Sequence, residues 1–520
     1  MSRIGAGEHD LVPSLPEDFG DFHQTADVGE QPAQGEKDEL ERLRLRFPEK
    51  SRPLDRDFSI VFGIHAGLAA PILCDRFNTV KELSILSPFG KDYEREFLMQ
   101  TLIRHEGEPK ANKIRERLHA VQGIGQRTYT PTQVVVKKAS GVMLETVDGR
   151  RLIDFTSGVL VTNLGHGHRR FEALYRKYCG RLPRSSYNMV SKVEVEASER
   201  IIRSMKAGNP KAQKVLWAAS GSEGIQKAMW AALHRYPDRP IMLATRHGFH
   251  GKKGLAGDTT GDKSANPNVR FISFPMYEEK PQAFYEAELN ALAAEFPKQI
   301  ALLITEPYLG AAGSFHPPQW YHKLLQRWCE THDVAFIFDE VQSCHGRTGN
   351  MYAFETYGVQ PDLVVLGKGL GNGEPAAAVA GRADLIDSLT YGEASDTFSG
   401  NPRACAAACA VFDVFAEEKI VDHCRMVAPV MKQKLGALAG RFPFVKALRG
   451  EGLVYGLEIA DDATAQACVL EAYRGVNNVG VHFLGPLAGK VLRISPPLVI
   501  TEAEIMEAFE IIHEAWRRIA

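Results

Sequence analysis

The chain has 520 residues, 44% hydrophobic and 24% charged, with a formal net charge of −2; about two to four ordinary domains with sizeable cores fit this length. The near-neutral balance gives no electrostatic pull toward nucleic acid or an anionic membrane, and neither is expected as a partner. Eight scattered cysteines without a Cys-x-x-Cys pair, no zinc-type spacing, no apolar signal core and no uninterrupted apolar run of membrane-spanning length indicate a metal-free protein of a reducing cytoplasm.

Residues 1–55 are rich in Glu, Asp, Gly, Pro and Gln, lack hydrophobic periodicity and read as a flexible tail. Residues 56–122 form an extension that turns from apolar (Phe58 to Leu73) to helical, with helices expected over Tyr93–Gly107 and Lys110–Val121 and no catalytic motif. In the stretch 123–170, Gln133 to Asp154 alternates polar and apolar residues around the turn Val147-Asp-Gly-Arg150, as a β-meander does, and is read as the first part of a small domain. Over 171–410 helical patterns alternate with short β-branched runs: Val215–Trp217, Ile241–Leu243, Val269–Phe274, Leu302–Thr305, Val334–Asp339 and Leu363–Leu366. Strands alternating with helices give a mostly parallel sheet. An Ala-rich helix begins at Pro402, where Cys405 and Cys409 share a face and read as packing residues. Residues 411–520 add a smaller pattern with strands in Gly452–Ile459 and Val491–Ser495. The expected class is α/β: a large, mostly parallel-sheet domain, a smaller α+β domain and an extra N-terminal segment.

Two strand ends carry the chemistry. Phe336-Ile-Phe-Asp-Glu-Val-Gln342 ends a buried run in adjacent acids, and Leu363-Val-Val-Leu-Gly-Lys-Gly-Leu-Gly-Asn-Gly373 ends one in a glycine-flanked lysine. Ligands of open parallel sheets bind at strand carboxyl ends. An Asp and a Lys there are what pyridoxal phosphate needs: Asp339 to keep the pyridine nitrogen protonated, and Lys368 to form a Schiff base with the aldehyde. Val341 would pack on a ring face and Gln342 hydrogen-bond the phenolic oxygen, while Glu340 is assigned a supporting role. Ser220-Gly-Ser222, at a strand-to-helix turn, is a candidate phosphate cradle, with an ordinary helix cap as the competing reading. Phe249, after the strand from Ile241, is a candidate stacking ring or a core residue, and His250 beside it reads equally as a structural histidine. Asp339 as a helix cap and Lys368 as a surface lysine also stand as alternatives. The order Gly-x-x-x-x-Gly-Lys-[Ser/Thr] is absent, which removes a nucleotide loop.

Taken together, these residues resemble the class III aminotransferases of pyridoxal-phosphate fold type I, the group of ornithine, acetylornithine and four-aminobutyrate aminotransferases. The matching pieces occur in family order: Asp154-Phe-Thr-Ser-Gly158, Asn163-Leu-Gly-His166, Ser220-Gly-Ser-Glu223, Phe249-His-Gly251, Glu306-Pro307, Asp339-Glu-Val-Gln342, Gly346-Arg-Thr-Gly349, Gly367-Lys-Gly369, Thr397-Phe398, Gly400-Asn-Pro402, and Arg493 with Pro496-Pro-Leu498. Lys368 follows Asp339 by 29 residues, as in that family. The resemblance implies that Lys368 is the Schiff-base lysine, that Asp339 binds the ring nitrogen, that Gly221 and Ser222 hold the phosphate, and that Phe249 and Gln342 contact the ring. It further implies a homodimer in which Thr397 reaches the neighbour's phosphate, and an Arg493 that takes a substrate carboxylate. The implied reaction moves an amino group from an amino acid or amine to an oxo acid or aldehyde. An amino-lyase, epimerase, decarboxylase or aminomutase uses the same Lys, Asp and phosphate site and is the alternative; a non-catalytic relative is the third.

Three departures stand out. Glutamate-using members have Glu-Pro-x-x-Gly-Glu, whose last residue pairs with the carboxylate-binding arginine; here the run ends in Ala311, leaving Arg493 unmasked. This points toward other amines or single-carboxylate substrates. Ser399 replaces a usual Gly and Cys344-His345 a usual Gly-Phe, changes expected to reshape the pocket near the dimer interface.

Overall fold

A seven-stranded sheet carries the site in the computed structural model, which describes residues 102–278 and 280–519. The tail over 1–55, the extension up to residue 101 and Cys74 lie outside the described residues. The rest of the extension begins with non-helical backbone over residues 102–107 and then helix α1 (Pro109–Val121). The helix expected from Tyr93 therefore does not include residues 102–107: Gly107 turns at φ +76°, and the Asn112 side chain bonds the His105 backbone instead. Proline in the first turn suits a helix start because its missing N–H has no partner to lose there. Buried Glu108 anchors this end through Arg115 at 2.8 Å, Arg150 at 2.9 Å and the Tyr473 hydroxyl. Burial of that carboxylate is tolerated because two guanidiniums compensate it.

Strands β1 (Val136–Ser140), β2 (Met143–Thr146) and β3 (Arg151–Asp154) form the expected meander. The large sheet contains β4 (Lys214–Ala218), β5 (Ile241–Thr245), β6 (Val269–Ile272), β7 (Ile300–Thr305), β8 (Ala335–Asp339), β9 (Leu363–Leu366) and β10 (Ala377–Gly381), in the order β4-β10-β9-β8-β7-β5-β6. Only β10 runs antiparallel to its neighbours. Its run Ala-Ala-Val-Ala-Gly has one β-branched residue and gives no strand signal. It pairs between β4 and β9 with every residue buried, and Gly381 lies against the Leu363 backbone, where a side chain would clash.

The C-terminal region adds β11 (Val445–Glu451), β12 (Val454–Ile459), β13 (Val479–His482), β14 (Leu484–Ala488) and β15 (Val491–Ile494). Strand β13 joins the meander beside β3, and the other four form a separate antiparallel sheet, order β11-β12-β15-β14. The Ala-rich helix α3 (Pro402–Glu417), capped by Asn401, follows helix α2 (Gly221–Arg235); Cys405 and Cys409 on α3 are both fully buried. No described helix is long and apolar enough to cross a membrane. The fold class is α/β, with the mostly parallel sheet expected from the sequence.

Candidate active site

Because β10 is antiparallel to both β4 and β9, strand β4 points the same way as the parallel strands, so six carboxyl ends open on one edge, and five of them carry site residues. Ser220 follows β4, Phe249 and His250 follow β5, Glu306 follows β7, Asp339 ends β8 and Lys368 follows β9.

Asp339 is 5% exposed and its Oδ2 lies 2.8 Å from Nδ1 of His250, while Oδ1 accepts the Val341 N–H at 3.0 Å. Next to it Glu306 accepts the N–H groups of Phe249 at 2.9 Å and Gly310 at 3.2 Å. Burial first, and the Asp339 charge second, push the Glu306 carboxyl up to about 7. Glu340 faces away, accepting the Ala353 and Phe354 N–H groups at 2.8 and 2.7 Å at the start of a short helix. Burial raises it to about 8 against those bonds. The adjacent acids thus divide their work: Asp339 faces the strand-end cleft, and Glu340 is a cap.

Lys368 has φ +41°, a sparsely populated conformation for a side-chain-bearing residue, and it begins a single turn of 3₁₀ helix. The surrounding protein, and after it the Arg493 charge, lower its ammonium to about 8, with Asp339 and Glu306 pulling the other way. Gly367 before it meets Val341: a Cβ on Gly367 would stand 3.1 Å from Val341 Cγ1. A Cβ on Gly221 would stand 2.7 Å from the same atom. One valine therefore packs the lysine turn, the aspartate turn and the start of α2 against each other.

Ser220 caps α2, its hydroxyl accepting Glu223 N–H at 3.3 Å, and Glu223 returns the bond to Ala219 N–H at 2.7 Å. The cap reading is thus satisfied, yet the N–H groups of Gly221 and Ser222 have no acceptor among the described residues. Two free N–H groups and the positive end of a 15-residue helix make an anion cradle. Ser222 touches the turn after Phe249, since a Cβ on Gly251 would lie 2.5 Å from its Oγ. Phe249 is about one-third exposed rather than packed in the core. The arrangement fits a phosphorylated pyridine: a cradle, an amine, a carboxylate in a low-dielectric pocket and an exposed ring beside them.

Arg493 on β15 is 5% exposed, donates from Nη1 to the Gly310 carbonyl at 3.2 Å, and has no partner at Nε among the described residues. No acidic group pairs with it among the described residues. Burial lowers it to about 10, opposed chiefly by Glu306. Gln342 packs on Gly310, one step from that carbonyl. Thr397 is not gathered with the others: it lies on an exposed loop, its carbonyl accepting Ser185 Oγ at 3.4 Å.

The sequence reading assigned no site role to several residues around this cleft, although their motifs stand in the family match. Glu306 had the signal that identified Asp339, an acid ending a buried strand. Asn163 and Arg347 stood in matching motifs, but nothing local signalled their contact: Arg347 donates to Asn163 Oδ1 at 2.6 Å, and Asn163 to the His345 carbonyl at 2.9 Å, across about 180 residues of chain. His345 is buried among Tyr352, Phe412 and Phe415, with both ring nitrogens unpartnered among the described residues. It takes an aromatic place, consistent with the phenylalanine it replaces.

Residues 124–516 match the family described as aminotransferase class-III. An acetylornithine aminotransferase of Methanothermobacter thermautotrophicus is 31% identical over 386 residues, covering 74% of this chain and 94% of that one. A probable 4-aminobutyrate aminotransferase of Bacillus subtilis is 27% identical over 405 residues, covering 73% and 92%. Among solved structures, an acetylornithine aminotransferase from Elizabethkingia anophelis is similar with TM-score 0.68 and 27% identity, over 79% of this chain and all of that one. A PLP-bound amine transaminase from an uncultivated Pseudomonas species has TM-score 0.68 and 25% identity, over 77% and 97%. The chain belongs to the class III aminotransferases, and it is a pyridoxal-phosphate-dependent enzyme that moves an amino group between small molecules.

Proposed function

We propose that Lys368 holds the cofactor as a Schiff base and then carries the proton in transamination, in a cytoplasmic homodimer whose subunits complete each other's phosphate sites. The observation that carries this reading is the contact of Val341 with both Gly221 and Gly367, which brings the cradle, Asp339 and the lysine turn to one point. When bound, pyridoxal phosphate supplies an aldehyde that takes the amino group and a ring that accepts the electrons released at Cα.

The chain's residues do the rest. Ser220, Gly221 and Ser222 hold the phosphate with backbone N–H groups and hydroxyls. Phe249 and Val341 bracket the ring, and Gln342 meets its phenolic oxygen. Asp339, fixed by His250, keeps a carboxylate toward the ring nitrogen and so favours the protonated ring. Burial lowers the Lys368 amine to about 8, so it would be available as free base near neutral pH to bond the aldehyde, and it would be the group that moves a proton beside the substrate's Cα.

Arg493 receives the carboxylate of a substrate. A buried guanidinium without an acidic partner gains most from an incoming carboxylate. With Ala311 unable to mask it, the site favours one small carboxylate on acceptor or donor over a gated glutamate cycle. The relatives' names point to acetylornithine, 4-aminobutyrate and amine donors, and this chain is proposed to use an amine of that range.

Homodimerisation is supported by two exposed segments with large apolar side chains. Tyr187, Met189 and Val190 lie on one, Tyr391 and Phe398 on the other, and Ser185 to Thr397 links the two. Among the described residues, seven buried, unpaired cysteines agree with a reducing cytoplasm. A panel of amines and ω-amino acids with pyruvate, 2-oxoglutarate and succinic semialdehyde as acceptors tests the substrate reading. It fails if dicarboxylate pairs turn over best.

A further inference from the structure

The loop that carries Thr397 is tied from beneath by a buried lysine with no role in the site described so far. Lys227 lies on α2, six residues beyond Gly221, and is 2% exposed. Its Nζ donates to the Trp217 carbonyl at 2.9 Å, to Asp396 Oδ2 at 2.5 Å and to Ser399 Oγ at 3.0 Å. Those three bonds use every donor an ammonium has. Asp396 spends its other oxygen on the N–H groups of Phe398 at 2.9 Å and Ser399 at 2.7 Å, and Ser399 returns its hydroxyl to Asp396. Thr397 therefore stands between two residues that are both fastened to one buried charge. Burial opposes ionisation of Asp396, yet the Lys227 and Ser399 bonds hold its carboxyl well below the usual range. Ser399, the residue that replaces a family glycine, supplies a hydroxyl that glycine lacks.

We propose that Lys227, Asp396 and Ser399 form a latch that positions Thr397 for the partner subunit's cofactor phosphate, so that each subunit's α2 serves both phosphates of the dimer. The latch rests on the Thr397 role stated above. One helix presents Gly221 and Ser222 to its own phosphate and, about 9 Å further along its axis, grips the loop directed at the other. Lys227 is thus a positioning residue, and its removal costs an ordered loop rather than a direct cofactor contact. Loss of the latch leaves Thr397 to be ordered at each encounter, at an entropic cost that weakens its hold on the phosphate.

The test measures how fast holoenzyme loses cofactor on dilution into inorganic phosphate, followed by the visible absorbance of the lysine-bound form. Thr397→Ala and Lys227→Met are each expected to speed release about tenfold, the scale of one charged hydrogen bond. The double variant is expected to match Thr397→Ala alone. If Thr397→Ala leaves release unchanged, the role of Thr397 itself falls. If Thr397→Ala speeds release but Lys227→Met does not, or if the two effects multiply, the latch falls and the Thr397 reading stands.

Ser399→Ala removes only the hydroxyl and serves should Lys227→Met fold poorly; it is expected to speed release two- to threefold, about half a kcal/mol at the low end of a neutral hydrogen bond. No change with Ser399→Ala would overturn its part in the latch. Hybrid dimers locate the effect. With Lys227→Met and Lys368→Ala on one chain, the unsubstituted partner is expected to lose cofactor fast; with the two substitutions on opposite chains, release is expected to be normal. The reverse pattern would overturn action across the interface.

Discussion

Nδ1 of His250 stands 2.8 Å from Oδ2 of Asp339, with the imidazole enclosed and its Nε2 bonded to no atom among the described residues. The histidine therefore fixes one carboxylate oxygen while the Val341 N–H fixes the other, so the Asp339 charge is held in place.

Replacing that charge is the first test. Asp339→Asn keeps the shape but removes the anion that favours a protonated ring, and kcat is expected to fall by at least about 10²-fold with cofactor still bound. His250→Gln, which keeps a donor but loosens the ring packing, is expected to cost less. Steady-state rates beside cofactor content per subunit check both; an Asp339→Asn enzyme with near-normal kcat would remove Asp339 from its role.

Lys368 gives a pH signature. Only the free amine attacks an aldehyde, and burial lowers its pKa from the usual value to about 8. The rate at which apoenzyme takes up pyridoxal phosphate should rise about tenfold per pH unit below 8 and level off above it. Stopped-flow absorbance across pH 6 to 10 measures this, with Lys368→Ala as the blank. A rate still climbing at pH 10 would mean an unperturbed lysine.

The chemistry of the site was more legible in the sequence than its full lining. Asp339 and Lys368 were readable because charged groups at the ends of buried apolar strands are costly without a purpose, and Glu306 had the same mark. Strands β5, β7, β8 and β9 announced themselves by β-branched and aromatic runs. Strand β10 did not, because its alanines belong equally to helices, and the close approach of Asp362 and Leu363 accounts only for Gly381 at its end. The contacts of Arg347 with Asn163, or of Lys227 with Ser399, join positions far apart in the chain, and no local pattern encodes them. The expected helix does not extend over residues 102–107, where Gly107 and Pro109 set a boundary that hydrophobic periodicity ignores.

Arg493 should separate binding from chemistry. Arg493→Gln leaves a polar side chain but no cation, and KM for carboxylate-bearing substrates is expected to rise about 10²-fold, the scale of a lost charge-assisted bond. Amines without a carboxylate should be little affected in the donor half-reaction. Equal losses for both substrate kinds would make Arg493 structural.

His345 links stability to pH. Burial lowers it from 6.5 to about 3, so the folded protein keeps it neutral while the unfolded chain protonates near 6.5. Its contribution to stability is complete above pH 6.5 and is lost as pH falls toward 3, at about 1.4 kcal/mol per unit. His345→Phe removes this loss and should raise Tm more at pH 5.5 than at pH 8. Calorimetry at the two pH values decides it; an equal shift at both would mean that His345 does not titrate as its burial requires.

The most direct test of the central claim uses holoenzyme and one amine donor, with no acceptor. A transaminase working through Lys368 is expected to lose its visible lysine-bound absorbance, release one oxo product per active site and stop, then regain the absorbance when an oxo acid is added. Continuous turnover without an acceptor, or the same conversion in Lys368→Ala, would contradict the account.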